Sequence, residues 1–225
     1  MNSRDEATRD AWRNALIQNR LLYPDERVVS FLSRRFPETS QNVNRNAIDI
    51  GFGSGRHMKL MLDFGFRTWG IEYTEESVSI AKAMFSKAPL IREIVLADYR
   101  TFQFQVAFDV VLAWGVVFLD PPSEMLHNLS RIATMLADGG RAFLNFRTKE
   151  NWFFGLGREI ETGCYILDER AGTYSGICYT FMDLHEVEQL IDRAGLTIVH
   201  VEKTTFSKND MRELNSWLQV ELLKK

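Results

Sequence analysis

The segment Ala47-Ile48-Asp49-Ile50-Gly51-Phe52-Gly53-Ser54-Gly55-Arg56-His57 constrains this chain more than any other. A short apolar run with strand character leads into three glycines at alternate positions. Helical apolar spacing then resumes through Leu60, Met61, Leu62 and Phe64. Glycines at a strand-to-helix turn accept positive φ and let a ligand approach the backbone with no Cβ in the way. The first N–H groups of the helix face whatever binds there. Asp49, two residues before the first glycine, falls at the carboxyl end of the strand, where open α/β sheets bind ligands.

Several readings of such a loop compete. A phosphate-cradling Walker A loop closes on Gly-Lys-Ser/Thr, and here Gly55 is followed by Arg56-His57. The dinucleotide fingerprint spaces its glycines G-x-G-x-x-G, whereas this chain reads G-x-G-x-G. The string Asp49-x-Gly51-x-Gly53-x-Gly55 closely resembles the S-adenosylmethionine (SAM) loop of class I methyltransferases. A turn with no ligand is the remaining reading, so the segments downstream decide.

Arg67 to Glu72 reads as a second strand ending in an acid, 21 residues beyond Gly51. A carboxylate ~20 residues past the glycines is placed to accept hydrogen bonds from a ribose diol, an arrangement shared by NAD and SAM folds. Thr74 stands as a helix N-cap with Glu75 and Glu76 in the first turn. Ile91 to Tyr99 reads as a third strand running into Asp98. Phe108 to Gly115 is near-continuously apolar, as expected of a parallel strand covered on both faces. Pro121-Pro122-Ser123 opens a helix through Met125, Leu129, Ile132, Ala133 and Leu136, with Asp138-Gly139-Gly140 as its stop. A fifth strand follows from Arg141 to Arg147.

From Thr148 to Thr180 the βα rhythm stops in a stretch rich in aromatics and glycines. Long irregular insertions in compact domains are functional or disordered, and the aromatics favour an ordered cap over a substrate. Asp183 and Glu186 fit a capping box for a helix ending at Gly195. Leu196 to Glu202 and Trp217 to Leu222 then alternate as two strands that pair antiparallel at the sheet edge. Ahead of the glycine loop, residues 1–45 read as two helices. The first carries Ser3-Arg4-Asp5-Glu6 as its capping box; the second has Pro24 in its first turn and Val28, Phe31 and Leu32 on one face. The polar stretch from Glu38 to Arg45 reads as a loop.

Composition narrows the class. The chain has 225 residues, a net charge of −3 and no run of Lys or Arg, so it lacks the electrostatic footprint of a nucleic-acid binder. Cys164 and Cys178 fit neither a disulfide framework nor a zinc site, which points to a reducing compartment. The charged start MNSRDEATRD has no apolar core of a signal peptide, and no window approaches the ~18–20 apolar residues of a membrane span. The expectation is a soluble cytoplasmic protein.

The ordered set of Asp49/Gly51/Gly53/Gly55, Glu72, Asp98-Tyr99, Phe108-Asp109 to Trp114, Asp138-Gly139-Gly140 and a final strand pair resembles class I SAM-dependent methyltransferases over roughly residues 45 to 225. The lead-in Arg20 to Glu26 and the region Asn151 to Tyr179 are more loosely similar to bacterial small-molecule methyltransferases of sugar and natural-product pathways. The resemblance implies a Rossmann-like α/β fold. Its seven-stranded, mostly parallel sheet has helices on both faces and an antiparallel last strand. A helical lid at 1–45 and a cap insertion at 148–180 would complete the SAM-binding domain at 46–225. It further implies that Asp49, Gly51, Gly53, Gly55, Glu72, Tyr73, Asp98, Tyr99 and Trp114 contact the cofactor, with Asp98 accepting the adenine amino group and Tyr99 along the ring. Trp12, Arg20 and Tyr23 are the lid residues that could face the pocket, unless both helices simply pack on the sheet.

Methyl transfer needs in-line positioning above all, and a base only where the acceptor loses a proton. The wall Trp114-Gly115-Val116-Val117-Phe118 offers none. Tyr99, Arg147 and His57 are the weak catalytic candidates. Arg147 would bind an anionic group or form a rim salt bridge, and His57 reads more readily as structural. No metal is implied, because the fourth strand ends in Ala113-Trp114-Gly115. The implied activity is methylation of an oxygen or nitrogen on a small metabolite by a monomer or dimer. An RNA or protein methyltransferase and a non-catalytic SAM-binding regulator are the alternatives.

Overall fold

The computed structural model describes Arg13 and residues 20–225. Its centre is a seven-stranded sheet in the order β3-β2-β1-β4-β5-β10-β9. The strands are β1 (Asn46–Ile50), β2 (Arg67–Glu72), β3 (Ile91–Leu96), β4 (Phe108–Ala113), β5 (Leu136–Arg147), β9 (Leu196–Lys208) and β10 (Glu213–Lys224). Strands β1 to β5 run parallel, while β10 is antiparallel to both β5 and β9. The Rossmann-like expectation, with one antiparallel strand at the end of the chain, is what the sheet displays.

Strand alternation explains how both faces are covered. Ile48, Ile50, Val111, Ala142 and Leu144 join one core, with residues of α5 (Pro122–Met135) and α6 (Leu184–Arg193). The neighbouring residues Ala47, Val110, Leu112 and Phe143 join a second core, with Phe31 and Leu32 of α1 (Glu26–Arg35) and Leu60 and Met61 of α3 (Arg56–Asp63). Successive strand residues point to opposite faces, so a parallel strand buried on both sides reads as a continuous apolar run. Phe31 stacks on Phe143 at 4.6 Å, and Phe143 stacks on Trp114 at 5.3 Å, linking α1 to the end of β4. Arg35 and Arg141 both pair with the fully buried Glu221 of β10, a second tie between α1 and the sheet.

Several boundaries differ from the expected ones. Helix α1 begins after Pro24: Asp25 is its N-cap and accepts from the Arg27 N–H at 2.9 Å, a bond proline cannot supply. The expected loop at 38–45 contains a short helix, α2 (Thr39–Asn42). Buried Asn42 holds it by donating to the Phe36 and Phe64 carbonyls. Helix α5 stops at Met135, before Gly139-Gly140, because Leu136 is already extended and paired with Phe108. The glycines lie inside β5, where the β4–β5 register shifts. The expected first helix, with its Ser3 capping box and Trp12, lies outside the described residues.

Residues 148–180 are ordered. They form a small antiparallel sheet of β6 (Arg158–Glu161), β7 (Cys164–Ile166) and β8 (Cys178–Thr180), with a 3-10 turn at Glu169–Tyr174. Inside it the Cys164 and Cys178 sulfurs lie 3.2 Å apart. Strands β9 and β10 are each longer than expected and meet in a hairpin whose turn residues Asn209, Asp210 and Met211 have positive φ. No helix among the described residues is long and apolar enough to cross a membrane.

Candidate active site

The strand order reverses between β1 and β4, and a cleft of about 700 Å³ opens at the carboxyl ends of the strands there. Gly51, Gly53, Glu72, Tyr73, Asp98, Tyr99 and Trp114 from the expected cofactor set line it, as do His57 and Arg147. Asp49 and Gly55 stand behind the lining: Asp49 is buried under the loop, and Gly55 is the N-cap of α3.

The glycine loop follows from its dihedrals. Gly51 has a φ of +66°, and a Cβ there would meet the Val116 side chain at 2.6 Å. Gly53 has a φ of +52°, and a Cβ there would meet nothing within 4 Å, because this part of the loop faces the cleft. Glu72, at the end of β2, ties the loop down. Its Oε2 accepts from the Gly53 N–H at 3.1 Å, and its Oε1 accepts from Tyr73 at 2.8 Å. Burial raises the Glu72 pKa, against the pull of these hydrogen bonds. Burial likewise holds Asp49 well above the ordinary carboxylate range, and its Oδ2 has no partner among the described residues.

Asp98 lies on the cleft wall with its carboxylate clamped by Arg100, at 2.6 Å from Nη2 and 2.9 Å from Nε. Tyr99 donates its hydroxyl to Asp120 at 3.2 Å. Asp120 is a site residue that the sequence reading missed. It follows the 3-10 turn Val117–Leu119, accepts from Asn128 Nδ2 at 2.7 Å and lines the cleft. Burial pushes its pKa up to about 6, against the opposing charge of Arg100.

His57 is held in a structural contact. Its Nε2 accepts from the Asp25 backbone N–H at 3.1 Å, and burial, aided by Arg56, pushes its pKa down to about 3. Arg56 donates to the Tyr23 carbonyl at 3.0 Å and the Ser54 hydroxyl donates to the Leu21 carbonyl, so the lead-in to α1 crosses the loop. Leu21 and Asp25 line the cleft; Arg20 and Tyr23 do not, and Tyr23 is 82% exposed.

The opposite end of the cleft is aromatic. Phe118, Tyr174, Tyr179 and Trp217 line it around Arg147, whose guanidinium sits 4.0 Å from the Trp217 ring centre. Arg147 is not at a rim: it is 6% exposed. Thr204, Phe206 and Gln219 of the hairpin complete this wall. None of the hairpin residues was expected at the site, although Thr204 and Phe206 continue the alternation of β9.

Residues 17–201 match the family model described as a methyltransferase domain. Comparison with curated proteins gave no match. Among solved structures, the chain is similar to the 1,6-didemethyltoxoflavin-N1-methyltransferase of Burkholderia thailandensis, bound to 1,6-didemethyltoxoflavin and S-adenosylhomocysteine. The TM-score is 0.68 and the identity 16%, over 98% of this chain and 91% of that one. The N-methyltransferase NodS of Bradyrhizobium japonicum, in complex with S-adenosylhomocysteine, gives 0.66 and 16% over 97% and 98%. A SAM-dependent methyltransferase of Clostridium acetobutylicum gives 0.66 and 13% over 93% and 94%. With the family model spanning most of the chain, and a glycine loop and acid at the switch point of the sheet, the chain belongs to the methyltransferase-domain family and is a SAM-dependent enzyme.

Proposed function

We propose that the protein methylates an oxygen or nitrogen of a small metabolite held between the glycine loop and the β9–β10 hairpin. The observation that carries this reading is the division of one cleft into a polar end and an aromatic end. The polar end suits the cofactor. Gly53 leaves open the space a Cβ would take, and Glu72 offers carboxylate lone pairs to a ribose diol. Asp98 and Tyr99 after β3 and Trp114 after β4 line the same end, a carboxylate and two flat rings for the base of a nucleoside. The 1,6-didemethyltoxoflavin bound to the Burkholderia relative supports a small acceptor.

Bound at that end, SAM would supply an activated methyl group to the acceptor lone pair, the C–S bonding pair remaining with the sulfur of the leaving S-adenosylhomocysteine. The remaining work falls to the chain's own groups. The aromatic walls hold the acceptor in line and exclude water. Asp120, with its pKa near 6, is largely ionised at neutral pH and receives the acceptor proton, while Tyr99 and Asn128 fix its orientation. The lead-in Leu21 to Asp25 and the insertion 148–180 serve as lid and cap.

Parallel calorimetric titrations with SAM, S-adenosylhomocysteine and NAD test the reading. Binding of the first two and silence with NAD are expected, and a metabolite screen by mass spectrometry would then find the acceptor. Binding of NAD alone would overturn it, and methylation of RNA or protein in place of metabolites would overturn the acceptor class.

A further inference from the structure

We infer that the aromatic end of the cleft is an oxyanion subsite built on Arg147, and that the acceptor is a small, flat molecule bearing a carboxylate. The inference rests on the methyl-transfer reading above, since it concerns the second occupant of the same cleft.

Arg147 ends β5, with its Cα paired to that of Trp217. Four rings surround the guanidinium: its carbon lies 4.0 Å from the Trp217 centroid, 4.5 Å from Tyr179, 5.1 Å from Phe153 and 5.2 Å from Phe118. Ring faces attract a cation, but they do not accept its in-plane N–H groups as a carboxylate does. Nε and Nη1 are buried with no hydrogen-bond partner among the described residues, and no carboxylate of those residues offsets the charge. Arg100, on the same cleft, is instead held by Asp98 and Asp120. Keeping a guanidinium buried and unpaired is costly, and burial lowers the Arg147 pKa accordingly.

Such a group is completed by an anion that arrives with the ligand. The planar fork of a guanidinium matches the two oxygens of a carboxylate. The cleft beside it, lined by Phe118, Tyr174, Tyr179 and Trp217, suits a flat, unsaturated frame better than the hydrated shell of a phosphate dianion. The Tyr179 hydroxyl is a neutral donor at the same place, its pKa pushed up to about 12 by burial against the opposing pull of the neighbouring Arg147 charge. An acceptor anchored there would extend toward Asp120 and the cofactor end.

The test uses the intact chain saturated with S-adenosylhomocysteine and titrated with benzoate, indole-3-carboxylate and their neutral amides. The acids should bind and the isosteric amides should bind at least about tenfold more weakly. Arg147→Met should weaken acid binding by about 10- to 100-fold while leaving S-adenosylhomocysteine affinity unchanged. It should also raise the melting temperature of the unliganded protein, because a buried unpaired charge is removed. Arg147→Lys keeps the charge without the fork and should fall between the two; it also guards against a folding failure of the Met variant. Equal binding of acids and amides, no acid binding to the loaded protein, or undiminished acid binding by Arg147→Met would overturn the inference. Failure of S-adenosylhomocysteine itself to bind would instead remove the methyl-transfer reading, and the same titrations separate the two results.

Discussion

The Gly53 backbone N–H donates to Glu72 Oε2 at 3.1 Å, so the loop that ends β1 is tied to the acid that ends β2. One carboxylate therefore shapes the loop and presents lone pairs to the cleft. Glu72→Ala should loosen the loop and weaken SAM affinity by about 10- to 100-fold, the worth of charged hydrogen bonds. Gly53→Val and Asp49→Ala should abolish binding. Calorimetry reads all three, and unchanged affinity in all of them would sink the cofactor assignment.

Gly51 carries both a positive φ and a close neighbour, Val116. Gly51→Ala should destabilise the fold by roughly 1–3 kcal/mol, as a strained left-handed backbone does. Adding Val116→Ala should recover the steric part and leave the backbone part. Urea denaturation of both variants distinguishes the two, and equal stabilities for Gly51→Ala and the parent would refute the strain.

His57 and Asp120 give opposite pH slopes. The imidazole titrates near 6.5 unfolded and about 3 folded, so its contribution is complete above pH 6.5 and is lost as pH falls toward 3. That loss is on the order of 5 kcal/mol. Asp120 titrates near 3.8 unfolded and about 6 folded, so its contribution is present below pH 3.8 and is lost as pH rises through 6. That loss is roughly 3 kcal/mol. His57→Gln should leave a protein that gains stability on mild acidification, and Asp120→Asn one that loses it more steeply than the parent. Chemical denaturation between pH 4 and 7.5 (roughly the span of both titrations) measures these slopes, and parallel curves for the two variants would contradict the assignment.

Glu221 is fully buried between Arg35 and Arg141. Removing one partner of a buried ion pair leaves uncompensated charge and costs about 3–5 kcal/mol. Glu221→Ala leaves only partly exposed arginines and should cost less. Replacing both arginines (Arg35→Met with Arg141→Met) strands the buried carboxylate and should show the full loss in thermal or denaturant unfolding. A loss below about 1 kcal/mol, the range of surface pairs, would show that the pair is screened by water.

The cofactor half of the molecule was legible because parallel strands place their chemistry at their own carboxyl ends. Asp49 to Gly55, Glu72 and Asp98 each report a strand, its end and a side chain in one short string. The acceptor half is assembled differently. Trp217 reaches Arg147 only because β10 pairs with β5, across some seventy intervening residues of chain that no local spacing encodes. Asp120 was hidden behind the apolar run Val116 to Leu119, where a 3-10 turn brings it to Asn128. An acid directly before Pro121-Pro122 was its faint signal. The sulfurs of Cys164 and Cys178 meet through the β7–β8 pairing, which their spacing did not reveal.

Strand β9 touches the sheet through β10 alone, although β9 comes first in the chain. The ribbon 196–224 must therefore zip onto β5 through its second arm, and the edge cannot settle before the inner strand does. That order makes the docking step a checkpoint on the pocket itself. A slip of one residue along β5 would turn Trp217 and Gln219 to the far face and bring Leu218 in their place. The guanidinium of Arg147 would lose its nearest ring, and the polar wall of the acceptor end would become aliphatic. Misregistered chains would keep the glycine loop and still load cofactor, yet present the wrong half-site, so occupancy by SAM alone is no proof of a correctly assembled molecule.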